Sequence, residues 1–522
     1  MSAKDTAGSD VVADVQKGYA FDGPALELGA LVVDGTAHPD AAVRIPLGML
    51  NRHGLVAGAT GTGKTKTLQL MAEQLSAAGV PVMAADIKGD LSGIAEPGEA
   101  SDRTTSRATE VGQSWSATGF PVELLALGGQ GEGLTLRATM TSFGPTLLAK
   151  VLGLNEVQES SLGLVFHFAD KAGLPMLDLK DLRAVVQFLT SDEGKDELKE
   201  LGGLSRATAG VILRELISFE DQGADQFFGE PEFETKDLMR VDAQGRGIVS
   251  LLELPQLQDR PKVFSTFLMW LLADLFHELP EVGDVDKPKL VFFFDEAHLL
   301  FDDASKEFLT AIAQTVRLIR SKGVGVFFVT QTPKDVPSDV LAQLGNRVQH
   351  ALRAFTPDDA KALKATASTF PNSSYDLEEA LTQLGIGEAM ITVLSDRGAP
   401  TPVAWTRLRA PQSKMAPADP AVLTAAVAGS PLHAKYAETV DRDSAYERLA
   451  KRVAAAPAPE TKAGKAPKPS TERSPRPTRA PKPEKSTAEK VIESSAFRSA
   501  ARSAATVLGR EIARSIFGTR SR

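Results

Sequence analysis

The chain of 522 residues predicts an α/β fold with a mainly parallel sheet, on three observations. A glycine-rich loop, Gly58-Ala59-Thr60-Gly61-Thr62-Gly63-Lys64-Thr65, sits between a short apolar run and a stretch with Leu68, Leu70, Met71 and Leu75 at helical spacing. Residues 290–294 and 325–329 are continuously apolar, as expected of strands covered on both faces. Strand-like and helix-like stretches alternate along the chain, the pattern of crossover connections between parallel strands.

Taken in order, residues 1–18 are polar and acidic and read as disordered. Residues 19–50 hold short apolar pieces between glycine and proline, a small N-terminal β-element. Residues 51–142 form the first part of the core: the loop with its strand and helix, a strand at 80–85 ending on Asp86, and another within 118–127. From 143 to 240 apolar residues recur at helical spacing between charged helix formers, which predicts a helical insertion. Residues 241–410 return to the core, with strands at 247–252, 290–294 and 325–329, helices at 262–279 and 305–321, and late strands at 347–354 and 388–394. A helical extension over 411–452 follows. Residues 453–487, rich in Ala, Pro and Lys, form a flexible linker. Residues 488–522 form a basic amphipathic helix, with Ala501, Ala505, Leu508, Ile512 and Ile516 on one face and Arg498, Arg502, Arg510 and Arg514 beside it.

Composition sets limits. No cysteine is present, so disulfides, thiolate metal sites and cysteine nucleophiles are excluded. A reducing compartment, the cytoplasm, fits this. The most apolar long run, residues 263–279, contains Asp274 and His277, and no segment reaches the roughly 20 apolar residues of a membrane span. Residues 451–522 carry 17 Lys+Arg against 6 Asp+Glu, a net +11, whereas residues 1–450 carry a net −20. An acidic body with a basic tail points to a tail that meets an anionic partner or folds back on the body.

The loop G-x-x-x-x-G-K-T in a strand–loop–helix context is a phosphate-binding loop. Its glycines let backbone N–H groups turn onto phosphate oxygens at a helix N-terminus. Gly58 to Thr65, with Lys66, are the candidate nucleotide-binding residues. Lys64 reaches the β- and γ-phosphates, and the Thr65 hydroxyl ligates Mg²⁺. The apolar run 290–294 ends in Asp295-Glu296. Asp295 is the candidate Mg²⁺ ligand, through water, and Glu296 the general base. Gln331 follows the next apolar strand and is placed to sense the γ-phosphate or orient water. Asp86 ends a third strand, either as a turn residue or as part of the site. An arginine near the developing charge is drawn from Arg317, Arg320, Arg347 and Arg353. His53 and His298 have no metal-ligand companions in sequence and read as packing or hydrogen-bonding residues.

Taken together, these residues resemble those of the HerA/FtsK-type P-loop ATPases. The resemblance rests on Asn51-Arg52-His53-Gly54 before the loop, Asp295-Glu296-Ala297-His298, and Arg320-Ser321-Lys322-Gly323-Val324-Gly325 leading to Thr330-Gln331. Asp86-Ile87-Lys88-Gly89-Asp90-Leu91-Ser92 and Leu279-Pro280-Glu281-Val282-Gly283-Asp284 resemble the bacterial HerA-like (YjgR-like) branch. The resemblance implies a RecA-like core, ATP hydrolysis with Mg²⁺, and assembly of a homo-oligomeric ring, commonly a hexamer, with ATP sites between subunits. It matches Arg320 and Arg347 to the family's arginines and implies a DNA translocase or helicase. The β-element is short beside the barrel of archaeal relatives, and the helical insertion is large. Two-lobed DEAH-box helicases share the Asp-Glu-Ala-His string, but the stretch between Gln331 and the linker is too short for a second lobe. Two functions stay open at this point: a DNA motor, and an ATP-dependent assembly or regulatory protein whose tail recruits a protein or a membrane surface.

Overall fold

The computed structural model describes residues 3–127, 131, 133–200, 202–253, 261–301, 304 and 306–455. The strands in chain order are β1 (Ala25–Val33), β2 (Thr36–Pro46), β3 (Gly54–Ala57), β4 (Val82–Asp86), β5 (Val122–Leu127), β6 (Leu134–Leu136), β7 (Val249–Glu253), β8 (Leu290–Phe294), β9 (Val324–Thr330), β10 (Asn346–Gln349), β11 (Glu388–Thr392) and β12 (Ala404–Leu408). They form one sheet in the order β2-β1-β12-β11-β10-β3-β9-β8-β4-β7-β5-β6. From β10 to β6 every neighbouring pair is parallel; β11, β12, β1 and β2 extend the sheet antiparallel. Strand β9 lies between the loop-bearing β3 and the acidic β8, so its end separates Lys64 from Asp295.

Strands β8 and β9 are fully buried, as their apolar runs require. Register between them is locked by aromatic pairs. Phe293 faces Phe327 with ring centroids 5.4 Å apart, and Phe294 faces Phe328 at 5.6 Å. These residues alternate faces, so a one-residue slip would break the ring packing on both sides of the sheet at once.

Helix α1 (Ala3–Gly18) corrects the expectation of a disordered N-terminus. Its segment is polar on average, but Val15 and Tyr19 are buried in the core, with Val11 and Val12 packed against it. The Tyr19 hydroxyl donates to the carbonyls of Ile391, at 3.1 Å, and Pro402, at 2.9 Å. A few long-range anchors thus hold a helix that local composition does not announce. The small β-element is the β1–β2 hairpin, and it joins the main sheet through β12.

Helix α2 (Lys64–Ala77) follows the loop, and α3 (Asp102–Glu110) is capped by the Ser101 side chain, which accepts from Thr104 N. The insertion consists of α4 (Met140–Val151), α5 (Glu156–Lys171), α6 (Leu179–Thr190), α7 (Lys195–Glu200) and α8 (Arg206–Asp221). Phe227 ties it to α9 (Pro261–Glu278), lying 5.6 Å from Phe267 and 5.9 Å from Trp270. Two further helices, α10 (His298–Phe301) and α11 (Lys306–Ile319), separate β8 from β9.

The extension after β12 begins differently from the all-helical expectation. Residues 409–416 run outside any helix over α2, whose buried Glu73 accepts from the N–H groups of Gln412, at 2.8 Å, and Ser413, at 2.9 Å. Amides held by a carboxylate on another element cannot enter a helix ladder. Helices resume at Pro420–Gly429, His433–Tyr436 and Ala445–Ala455. Residues up to Glu447 form one compact unit, and a second begins at Arg448. The proposed linker beyond 455 and the basic C-terminal helix lie outside the described residues.

Candidate active site

The loop between β3 and α2 is shaped by three glycines with positive φ: Gly58 (156°), Gly61 (79°) and Gly63 (116°). At Gly58 the constraint is also steric, since a Cβ there would lie 2.4 Å from Cβ of His350. The loop is held from behind by backbone. Gly58 N–H donates to Thr330 O (3.2 Å), Ala59 N–H to Ala351 O (2.8 Å), and Gly387 N–H to Thr62 O (3.0 Å). Thr62 closes the loop internally through its hydroxyl on Ala59 O (2.7 Å). Thr60 and Gly61 form its exposed tip. The first-turn N–H groups of α2, from Lys64 through Lys66, have no acceptor within the helix and are available to an anion.

Lys64 is half-buried, and its Nζ donates to the loop's own carbonyls, Gly58 O at 2.6 Å and Ala59 O at 3.2 Å. Burial pushes this ammonium below its ordinary value, while Glu296 and Asp295 pull it back up. Thr65 follows at the start of α2. Lys66 donates to Gln69 Oε1 at 3.1 Å and lines a cavity of about 270 Å³. The cavity begins at Gly63 and Thr67, passes Arg103 and Arg107, and is walled by Ile386 and by Leu408 to Pro411.

Across the crevice, the end of β8 presents Asp295 and Glu296, both buried. Asp295 Oδ1 accepts from Glu296 N–H at 2.8 Å. Burial and the neighbouring Glu296 charge push its carboxyl up to about 6. A carboxylate so short of positive charge fits a divalent cation. Among the described residues no cluster of three acidic or histidine side chains forms a metal cage. Mg²⁺ binds through one or two protein oxygens plus phosphate and water, and the Asp295 carboxylate with the Thr65 hydroxyl is a donor set of that kind. Glu296 has φ 47°, a left-handed conformation that costs a non-glycine residue about 1 kcal/mol or more. Its Oε1 receives Lys88 Nζ at 2.5 Å, and its Oε2 is buried without a hydrogen-bond partner, 3.6 Å from His298 Nδ1. His298, read from sequence as a packing residue, thus borders the acidic pair.

Gln331, exposed at the end of β9, lies between the two sides because β9 separates β3 from β8. Asp335 fixes this turn, accepting from the Thr330 hydroxyl (2.8 Å) and Thr332 N–H (2.9 Å). Asp86 is a turn residue: its carboxylate accepts from Gly89 N–H and Leu91 N–H, both at 2.8 Å. Of the candidate arginines, Arg353 follows the carboxyl end of β10, two residues beyond Ala351, whose carbonyl holds the loop, and Arg317 lies in the last turn of α11. Arg320 precedes the amino end of β9, opposite the loop, near Arg52 and Asp284. Arg347 is the second residue of β10 and donates to Thr369 O at 2.7 Å.

Sequence reasoning passed over His350, Lys88, Asp335 and Glu73. His350 Nε2 is 2.9 Å from the Thr67 hydroxyl, and burial holds its imidazole down at about 4, so it braces the loop as a neutral group. Lys88 carried a usable signal, because it follows a strand ending at the same edge as β8. The others act through tertiary contacts with no local signature.

Residues 32–522 match the family described as Helicase HerA-like C-terminal. The chain belongs to this family. It is 26% identical over 201 residues to the DNA double-strand break repair helicase HerA of Saccharolobus solfataricus, covering 38% of each chain. It is 23% identical over 383 residues to the protein of the same name from Sulfurisphaera tokodaii, covering 70% of this chain and 68% of the relative. The chain thus spans well under half of the first relative's length and about two thirds of the second's. Among solved structures it resembles the plasmid coupling protein TrwB in complex with the ATP analogue ADPNP, and TrwB in complex with ADP and Mg²⁺. Each has a TM-score of 0.50 and 16% identity and covers 77% of this chain and 98% of TrwB. At that identity the likeness is one of fold, and it agrees with the RecA-like P-loop core expected for the HerA-like family. No helix among the described residues is long and apolar enough to cross a membrane.

Proposed function

We propose that this HerA-like chain is a Mg²⁺-dependent ATPase, working as a ring-forming homo-oligomer, commonly a hexamer, that translocates or remodels DNA. The observation that carries the hydrolytic reading is the convergence of Lys64, Gln331 and Glu296 at the carboxyl ends of three adjacent parallel strands. The triphosphate lies over the N–H groups of residues 61–65, and Lys64 exchanges its carbonyl partners for β- and γ-phosphate oxygens. The cavity beside Lys66 and Thr67 takes the ribose and base. Thr65 and Asp295 are the residues that would hold Mg²⁺, which when bound neutralises charge on the β- and γ-oxygens. Glu296 takes a proton from water as the water oxygen bonds to the γ-phosphorus and the bond to the leaving ADP oxygen breaks. Gln331 orients that water.

Ring assembly is supported by the arginines. Arg320 sits at the strand ends opposite the loop, so within its own subunit it faces away from the phosphates. A head-to-tail arrangement brings such a surface to the next subunit's crevice. Arg320 acts there in trans, with Arg347 as the second candidate.

DNA as substrate rests on the named activity of the HerA relatives. The test is steady-state ATP turnover by wild type and Lys64→Ala, with and without single- and double-stranded DNA at two salt concentrations. Stimulation that falls steeply with salt and vanishes in Lys64→Ala supports the motor. Lys64-dependent turnover indifferent to DNA replaces it with a protein or membrane-surface partner.

A further inference from the structure

Lys88 lies outside the phosphate-binding motif, yet among the described residues it makes the shortest polar contact to the acidic pair. Three features show that this contact is built. The turn carrying Lys88 is fixed by the buried Asp86, which accepts from Gly89 N–H and Leu91 N–H. Gly89 supplies the positive φ (74°) that the turn needs. The ammonium so presented meets Oε1 of Glu296 at 2.5 Å, and its other face remains half-exposed. The partner is constrained as well. The backbone of Glu296 is left-handed, and its Oε2 is buried with no hydrogen-bond partner. One carboxylate oxygen is therefore held, and the other, buried 3.6 Å from His298 Nδ1, keeps its hydrogen-bonding capacity unused.

We propose that Lys88 is a positioning residue for hydrolysis: by holding Oε1 of Glu296, it presents Oε2 to the attacking water. This rests on Glu296 being the general base. Oε2 takes the water proton, the water oxygen bonds to the γ-phosphorus, and ADP leaves with the electrons of the broken P–O bond. Lys88 itself exchanges no proton and touches no reacting atom. Asp86 belongs to the same device one step back, as the anchor of the turn.

The test is steady-state turnover of ATP with Mg²⁺ by the full chain, comparing Lys88→Met, Lys88→Arg, Glu296→Gln and the double variant Lys88→Met/Glu296→Gln. A misaimed base costs on the order of 10- to 100-fold. Lys88→Met is therefore expected to lower kcat by about that factor while KM for ATP stays within about twofold. Lys88→Arg recovers most of kcat. The double variant is no slower than Glu296→Gln alone, because residues acting as one unit are not additive. Lys88 is half-exposed, so an unchanged melting temperature in Lys88→Met separates aim from folding. Unchanged or faster turnover in Lys88→Met, with Glu296→Gln inactive, overturns the positioning role and leaves the general base standing. A loss carried by KM, or a multiplicative double variant, assigns Lys88 to the phosphates and also overturns it. Turnover retained by Glu296→Gln removes the general base, and this proposal with it.

Discussion

The front of the phosphate-binding loop and its backing are built to opposite rules. At the front, charges lie close together with provisional partners: Lys64 rests on its own loop carbonyls, and Glu296 keeps one oxygen unpartnered on a left-handed backbone. Behind the loop, buried groups hold fixed partners on distant parts of the chain, although His350 Nδ1 and Gln349 Oε1 have no hydrogen bond among the described residues. His350 holds Thr67, the backbone of Thr330, Ala351 and Gly387 holds the loop, and Glu73 holds the segment that closes over α2. The difference teaches that the side chains facing the ligand have partners they can exchange, while their platform is fixed by contacts from distant parts of the chain. Changes at the front should thus cost rate, and changes at the back should cost stability.

The largest expected effect is at the front. Lys64→Ala should lower ATP turnover by at least about 10²-fold, the loss seen when one preorganised donor to developing charge is removed. Its melting temperature should stay near wild type, as read by calorimetry, since the lysine's present partners are loop carbonyls. A large drop in melting temperature would break the division.

Next comes the backing. Glu73→Ala leaves the N–H groups of Gln412 and Ser413 without their acceptor in a buried place. An orphaned buried donor costs about 1–3 kcal/mol, so denaturant unfolding should show a loss of about 3 kcal/mol. Turnover per folded molecule should change far less than in Lys64→Ala.

A smaller and pH-dependent effect belongs to His350. Its folded-state value, about 4, lies below the ordinary 6.5. As pH falls through 6.5 the unfolded chain takes up a proton that the folded chain refuses until about pH 4, so stability is lost across that window. Between pH 7 and pH 5 the loss is about 2 kcal/mol at one pKa unit per 1.36 kcal/mol. The stability of wild type relative to His350→Gln should fall by about that amount over the same interval, measured by urea unfolding. A pH-independent difference would mean that the imidazole is not held neutral.

The smallest effect is at the rim of the cavity, where Ser101 caps α3. Ser101→Ala should cost about 1 kcal/mol, with no change in kcat.

The same division explains what the sequence made legible. The front is written in short motifs, because a glycine loop and two carboxylates at a strand end must be contiguous to do their chemistry. The amino-acid sequence alone therefore proposes Lys64, Thr65, Asp295, Glu296 and Gln331 as the site, and the apolar runs at 290–294 and 325–329 announce the buried strands. Strands β6 and β12 were missed. One has three residues, and β12 alternates buried Ala404, Thr406 and Leu408 with half-buried Trp405 and Arg407, a weaker signal than an unbroken apolar run. Helix α1 was missed because its segment is polar on average and is held by Val15 and Tyr19 against residues near 391 and 402. His350 and Glu73 were invisible for a related reason: their partners lie 283 and more than 300 positions away. Lys88 could have been read, since Asp86 beside it already marks the crevice edge.

The central claim is that Glu296 is the general base of an ATP-hydrolysing site. Its most direct test measures Glu296→Gln twice, once for equilibrium binding of ATP with Mg²⁺ and once for steady-state turnover. The account predicts binding close to wild type and turnover lower by about 10²–10⁴-fold, the usual contribution of a positioned base. Turnover within about threefold of wild type, with binding intact, would contradict it.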